Sequence, residues 1–168
     1  MFRTERVLVF ACLAIGLLVC ARPTRLRAIE KRPLPDFTLI AYDGSEVASS
    51  RLVRNGKWLL LYVNRDCQPC ESILRSFDRG EQSGVGSRLV IVVGGIRADA
   101  LAGVAQKYPG LAAAIWLADP ERGMAGILRL SGGTVVIGVA DSQLEWSMAD
   151  AGPRFANMMS VIRGWVLQ

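Results

Sequence analysis

Cys67 and Cys70 stand two residues apart in the run Asn64-Arg65-Asp66-Cys67-Gln68-Pro69-Cys70-Glu71-Ser72. A pair at that spacing can exchange electrons as a dithiol, supply half of a metal site, or close an ordinary structural disulfide. The rest of the composition narrows the choice. The chain has 168 residues with no histidine and four cysteines, two of which, Cys12 and Cys20, lie in an N-terminal apolar run. Lack of histidine removes every Ser-His or Cys-His nucleophile and every histidine-ligated metal. Two cysteines cannot complete a tetrahedral zinc site without oxygen ligands or a second chain, so no metal ligands are assigned. A bridge across so short a loop removes little entropy from the unfolded chain, which weakens the purely structural reading. Redox chemistry is the reading favoured.

Such a dithiol needs a strand to present it and a helix to activate it. Lys57–Asn64 (KWLLLYVN) is a continuous apolar run of strand length, as expected for a strand buried on both faces. After the cysteines, Ile73, Leu74 and Phe77 recur at helical spacing, with Gly80 as a stop. This places Cys67 at or just before a helix N-terminus, where unpaired N–H groups and the helix dipole stabilise a thiolate. Cys70 falls one turn further in, and Pro69 suits the first turn because its missing N–H costs nothing there. Asp66 and Glu71 oppose the helix by like-charge repulsion with the thiolate, which points towards a reducing rather than an oxidising couple.

Further along, the pattern predicts strands at Arg88–Val93, near Ala114–Leu117, over GTVVIGVAD and over QLEWSMA. Between them lie a helix with Ala98, Leu101, Ala105 and Tyr108 on one face, ended by Pro109-Gly110, and a short helical turn over ERGMAGILRL. A terminal amphipathic helix turns Phe155, Met158, Met159, Ile162 and Trp165 inwards. Alternating strands and helices with a strand–strand–helix close imply an α/β domain whose sheet is partly antiparallel.

The N-terminus reads differently. Val7–Ala21 is an unbroken apolar stretch with basic flanks, matching either an export signal cleaved near Ala21 or a slightly short membrane anchor. Residues 22–34 are basic and proline-punctuated and read as a tether. The net charge of +5 is concentrated around this region, so phospholipid headgroups suit it better than nucleic acid as a partner; a solvated linker is the alternative. The expected organisation is thus 1–21 signal or anchor, 22–34 tether and 35–168 domain.

At these residues a resemblance emerges. "LPDFTLIAYDGSEV" and "WLLLYVNRDCQPCES" resemble the opening motif and the strand–active-site motif of the thioredoxin superfamily, in its redoxin or TlpA-like branch of membrane-tethered thiol–disulfide proteins. The layout of apolar N-terminus, basic tether and redoxin domain is similar to that of the MauD-like proteins of methylamine utilisation. The resemblance covers roughly residues 32–168. It implies a thioredoxin-like fold, a central mixed sheet flanked by helices, preceded by an N-terminal apolar helix. It also implies a nucleophilic Cys67, a resolving Cys70 and no cofactor beyond the redox-active disulfide.

Four departures stand out. Asp66 occupies the place of a common tryptophan, Leu61 that of a buried aspartate, and Ile73 that of a glutamate. Ser131-Gly132-Gly133, followed by Thr134, stands where a Thr-Pro pair with a cis-proline normally faces the cysteines. The motif and substrate-loop residues are therefore Asp66, Gln68, Pro69, Glu71, Ser131, Gly132, Gly133 and Thr134. Function is expected to be an extracytoplasmic thiol–disulfide oxidoreductase that reduces or isomerises disulfides of exported clients, fed by an unnamed electron donor. The alternative is a non-enzymatic module on the same fold that holds a client or a metal, with an open groove at the glycine loop as its support.

Overall fold

The computed structural model describes residues 27–52, 56–79, 84–131, 133–149 and 155–168. In chain order the elements are β1 (Arg27–Pro33), β2 (Thr38–Ile40), β3 (Glu46–Ala48), β4 (Lys57–Asn64), α1 (Gln68–Asp78), β5 (Leu89–Gly94), α2 (Ala98–Ala105), β6 (Ile115–Asp119), α3 (Gly123–Leu128), β7 (Thr134–Ala140), β8 (Gln143–Ala149) and α4 (Phe155–Val166). The strands form one eight-stranded sheet in the order β1-β8-β7-β4-β5-β6-β2-β3.

β4 lies inside this sheet because it is apolar on both faces. Leu59, Leu61 and Val63 pack with α1, α4 and Leu101, whereas Trp58, Leu60 and Tyr62 pack with Phe37, Leu39, Met124 and Leu128. β4, β5 and β6 run parallel, and α1 and α2 supply the crossovers that parallel neighbours require. β7 returns antiparallel to β4, and β8 antiparallel to β7. The β7–β8 hairpin closes through Asp141 and Ser142, both at positive φ (49° and 62°), the conformation that matches the twist of the flanking strands.

Several expected boundaries move. β5 starts at Leu89 rather than Arg88, because Arg88 closes the 3-10 turn Gly86–Arg88 and its backbone N–H donates to the Val85 carbonyl at 2.9 Å. α2 stops at Ala105, and Pro109–Leu111 forms a separate 3-10 turn that still buries Tyr108. In α4, Phe155, Met158, Met159 and Ile162 are buried as expected; Trp165 is only half-buried, edge-on to Trp146 at 5.2 Å.

The larger correction concerns the tether. Arg27–Pro33, inside the expected linker, is a strand paired antiparallel with β8, with Arg27 opposite Ser147 and Pro33 opposite Gln143. Basic residues and a terminal proline disguise it, yet both suit an edge strand, whose outer side needs no ladder partner. Lys31 also reaches Glu145 across the pair at 2.9 Å. The apolar stretch 7–21 and Gly80 lie outside the described residues. Among the described residues no helix is long and apolar enough to cross a membrane.

Gly138 pairs with Trp146 across the hairpin, and the indole lies against its backbone; a Cβ there would overlap the ring. Gly138→Ala should cost about 1–3 kcal/mol, an overpacking penalty, in urea unfolding. A change under about 0.5 kcal/mol would show that Trp146 moves aside freely.

Candidate active site

β4 delivers the chain to the carboxyl end of the sheet, where Asn64–Asp66 turn it into α1. Cys67 is the N-cap of α1, in extended conformation, and Pro69 occupies the first turn. The N-cap position leaves Cys67 half-buried, while Cys70, one turn later, is 3 % exposed. The two are joined as a disulfide with Cα atoms 5.3 Å apart.

The other wall of the site is the start of β7. Pairing of Val63 with Thr134 brings the preceding Gly133 alongside the cysteines. Its backbone approaches so closely that a Cβ would overlap Cys67 Sγ and lie 3.2 Å from Cys67 Cβ and 3.7 Å from Cys70 Sγ. Close approach, rather than a left-handed backbone, is what requires glycine here. The Gly133 carbonyl accepts the Asn64 N–H at 2.9 Å and lies 3.0 Å from Cys70 Sγ. Buried Thr134 places Oγ1 2.7 Å from Cys70 Sγ and 3.7 Å from Cys67 Sγ. A disulfide sulfur carries no proton, so the hydroxyl donates and Cys70 Sγ accepts.

On the opposite side the cysteines border a groove of about 570 Å³. Its apolar wall is Leu74, Ile96, Ala100 and Val104; Arg65, Asp66, Glu71 and Lys107 supply charge, and Tyr108 closes one side. Arg75 Nη2 donates to Glu71 at 2.6 Å, and this bond holds the Arg75 guanidinium above its ordinary value. The Tyr108 phenol is also raised, first by burial and then by the Glu71 charge.

Of the residues expected at the site, the fold brings together Cys67, Cys70, Gly133 and Thr134. Asp66, Gln68, Pro69 and Glu71 are exposed around the helix start, all but Pro69 lining the groove, and Ser131 is exposed before β7. Gly132 lies outside the described residues. The glycine loop was expected to stand open opposite the cysteines; instead Gly133 closes on them, because β4–β7 pairing draws its backbone in. Among the described residues no cluster of metal-ligating side chains occurs. Sequence reasoning missed the α2 wall of the groove. Ala100, Val104 and Lys107 recur at helical spacing next to the core-facing stripe, a signal that identifies a second face but not what it borders.

A second polar cluster sits at the same sheet end on the other face. Tyr62 is pushed up to about 12 by burial, then by the nearby Asp119 charge, with Arg122 opposing. Asp119 is buried and accepts the Ala125 N–H at 3.3 Å at the start of α3, so its role is accounted for by the fold.

No protein-family model and no curated protein sequence matches this chain. Solved structures do. A thio-disulfide isomerase from Thermus thermophilus superposes with a TM-score of 0.60 at 19 % identity, covering 82 % of this chain and 98 % of that one. A thiol:disulfide interchange protein from a Bacteroides species gives 0.63 at 11 % identity, over 83 % and 91 % of the two chains. An exposed lipoprotein thioredoxin from Streptococcus pneumoniae gives 0.54 at 18 %, over 76 % and 98 %. The chain has the thioredoxin-like fold: a mixed sheet with helices on both faces.

Two outcomes follow from these contacts. Gly133→Ala should destabilise the oxidised protein by about 1–3 kcal/mol, and the reduced protein by less, because a free Cys67 side chain can rotate away from the new methyl. Urea unfolding with and without dithiothreitol measures both; equal losses would contradict the contact with sulfur. Separately, a tyrosine whose folded value is raised to about 12 keeps its proton after the unfolded chain has lost it. Its contribution is complete below about pH 10 and is lost as the pH rises towards 12. Tyr62→Phe should flatten that fall in unfolding free energy measured between pH 9 and 11. An unchanged slope would remove Tyr62 as its source.

Proposed function

We propose that this protein is a thiol–disulfide oxidoreductase that reduces or isomerises disulfides of exported proteins, held at the outer face of a membrane by its N-terminal segment. One observation carries the reading. Cys67 is a half-buried helix N-cap at the mouth of a groove, and its disulfide partner Cys70 is buried behind it. An accessible sulfur with its thiolate stabilised by a helix start is the attacking species that exchange needs. The names of the similar structures, a thio-disulfide isomerase and an exposed lipoprotein thioredoxin among them, support both the chemistry and a location outside the cytoplasm.

In the reduced protein the Cys67 thiolate attacks one sulfur of a client disulfide R–S–S–R′. R′–S⁻ leaves and takes up a proton, and Cys67 is joined to R–S. The Cys70 thiolate then attacks Cys67 Sγ, the intramolecular disulfide forms and R–S⁻ leaves, to be protonated in turn. Two electrons and two protons pass from the dithiol to the client. If a second client thiolate displaces the mixed disulfide instead, the client isomerises with no net electron transfer. Return to the dithiol requires a thiol reductant on the same side of the membrane. The apolar wall of the groove beside Cys67 offers a seat for a side chain flanking the client cysteine.

The client-holding or metal-holding alternative drew its support from an opening at the glycine loop; Gly133 occupies that place. Limiting iodoacetamide on the reduced protein should label Cys67 before Cys70. Cys70→Ser should capture clients as stable mixed disulfides on non-reducing gels of membrane extracts, and Cys67→Ser should capture none. If neither variant captures a client and the wild type reduces no protein disulfide, the oxidoreductase reading fails.

A further inference from the structure

We propose that the Thr134 hydroxyl is a catalytic hydrogen-bond donor to Cys70, holding its thiolate both when the disulfide opens and when the mixed disulfide is resolved. The proposal rests on the exchange chemistry above and assigns the group that handles the buried sulfur. Opening and closing of the Cys67–Cys70 disulfide pass through a Cys70 thiolate: it is the leaving sulfur in one direction and the attacking sulfur in the other. That thiolate forms at a sulfur only 3 % exposed, where an unsolvated charge is costly.

The surroundings supply little else to meet it. Leu61 and Ile73, at the two positions where the resemblance would place acids, are buried apolar side chains in the same cluster as Cys70. Leu74 and Val63 complete that side. Among the described residues, the charged or titratable groups facing the cysteines are Arg65 and Asp66 before α1, Glu71 on α1, and Lys107 and Tyr108 after α2. All five line the groove that both cysteines border. β7 carries no titratable side chain, and the titratable groups of β4 lie elsewhere: Lys57 at the far end of the strand, over Trp165, and Tyr62 on the opposite face.

Among the described residues, two polar groups touch Cys70 Sγ. The Gly133 carbonyl, 3.0 Å away, can only accept, so it suits the thiol and repels the thiolate. Thr134 Oγ1, 2.7 Å away, is the donor. The hydroxyl is 2 % exposed and lies a full ångström nearer Cys70 than Cys67 (2.7 against 3.7 Å), so its proton is committed to the buried sulfur. Because it is placed in the disulfide state, no reorganisation is needed as charge develops, the condition under which a fixed donor is most effective. Once Cys70 takes up a proton from water in the groove, its S–H turns to the Gly133 carbonyl and keeps Thr134 as donor.

The test is the rate at which dithiothreitol reduces the oxidised full-length protein. Its thiolate attacks Cys67 Sγ, Cys70 departs as thiolate, and the second dithiothreitol sulfur then releases Cys67 and closes the oxidised ring. Thr134→Val keeps the shape and removes the donor, and should slow this step about tenfold to a hundredfold, the range for a hydrogen bond to a charged group. Thr134→Ser should restore most of the rate. In a Cys67→Ser background, the pH profile of Cys70 alkylation, read on its own peptide by mass spectrometry, should move upwards by about one unit or more in Thr134→Val, and back in Thr134→Ser. Thr134→Ala replaces Thr134→Val if the latter fails to fold. Equal reduction rates and profiles in wild type and Thr134→Val overturn the proposal, as does a Thr134→Ser variant as slow as Thr134→Val, which would assign the effect to packing. Because dithiothreitol needs no client, a wild type that exchanges with it but captures no client sinks the oxidoreductase reading alone, and the Thr134 comparison is still decided by its own rates.

Discussion

The site depends first on the register of β4 against β7, in which Val63 faces Thr134. β4 ends in the turn that carries the cysteines, and β7 begins with the residues that touch them. Side chains alternate between faces, so a slip of one residue would turn Thr134 to the other face and carry Gly133 off the sulfurs. The register is held by apolar side chains on both faces along the whole pair, from Trp58 opposite Val139 to Tyr62 opposite Val135. The hydrophobic core and the reactive end are therefore one construction: packing in the middle of the sheet sets sulfur–oxygen distances at its edge.

Much of this was legible in the residues themselves. The apolar run of β4, the helical spacing of Ile73, Leu74 and Phe77, and the two-residue gap between the cysteines are local patterns, and local patterns survive folding. What could not be read was whatever depends on a partner distant in sequence. Arg27–Pro33 is a strand because β8 has an edge to offer, and its own charges and proline conceal it. Gly133 stood out as a departure, but whether a glycine there opens a gap or lets the backbone close depends on the draw of β4–β7 pairing. The α2 wall of the groove was hidden for a third reason. Ala100 and Val104 are small and apolar and resemble core, and only the fold shows that the space in front of them is open.

The two cysteines occupy contrasting environments within one turn of helix. Cys67 borders charged groups of both signs and solvent. Cys70 meets the apolar cluster under the helix, with the Gly133 carbonyl and the Thr134 hydroxyl as polar contacts of its sulfur. Uncharged polar contacts of this kind change little with pH or salt, unlike a buried acid, whose influence switches off as it takes up a proton. The sulfur that must stay hidden is thus served by groups whose state does not vary.

β1 also sets a direction. Its first residue, Arg27, lies opposite Ser147, towards the end of the sheet where Thr134 begins β7, whereas Pro33 lies opposite Gln143 at the other end. β1 therefore enters the sheet at the end that bears the disulfide and runs to the opposite end, where the next residue, Leu34, donates its backbone N–H to the Ser142 carbonyl in the β7–β8 turn at 2.9 Å. One edge strand thus links the reactive end of the sheet to the turn farthest from it.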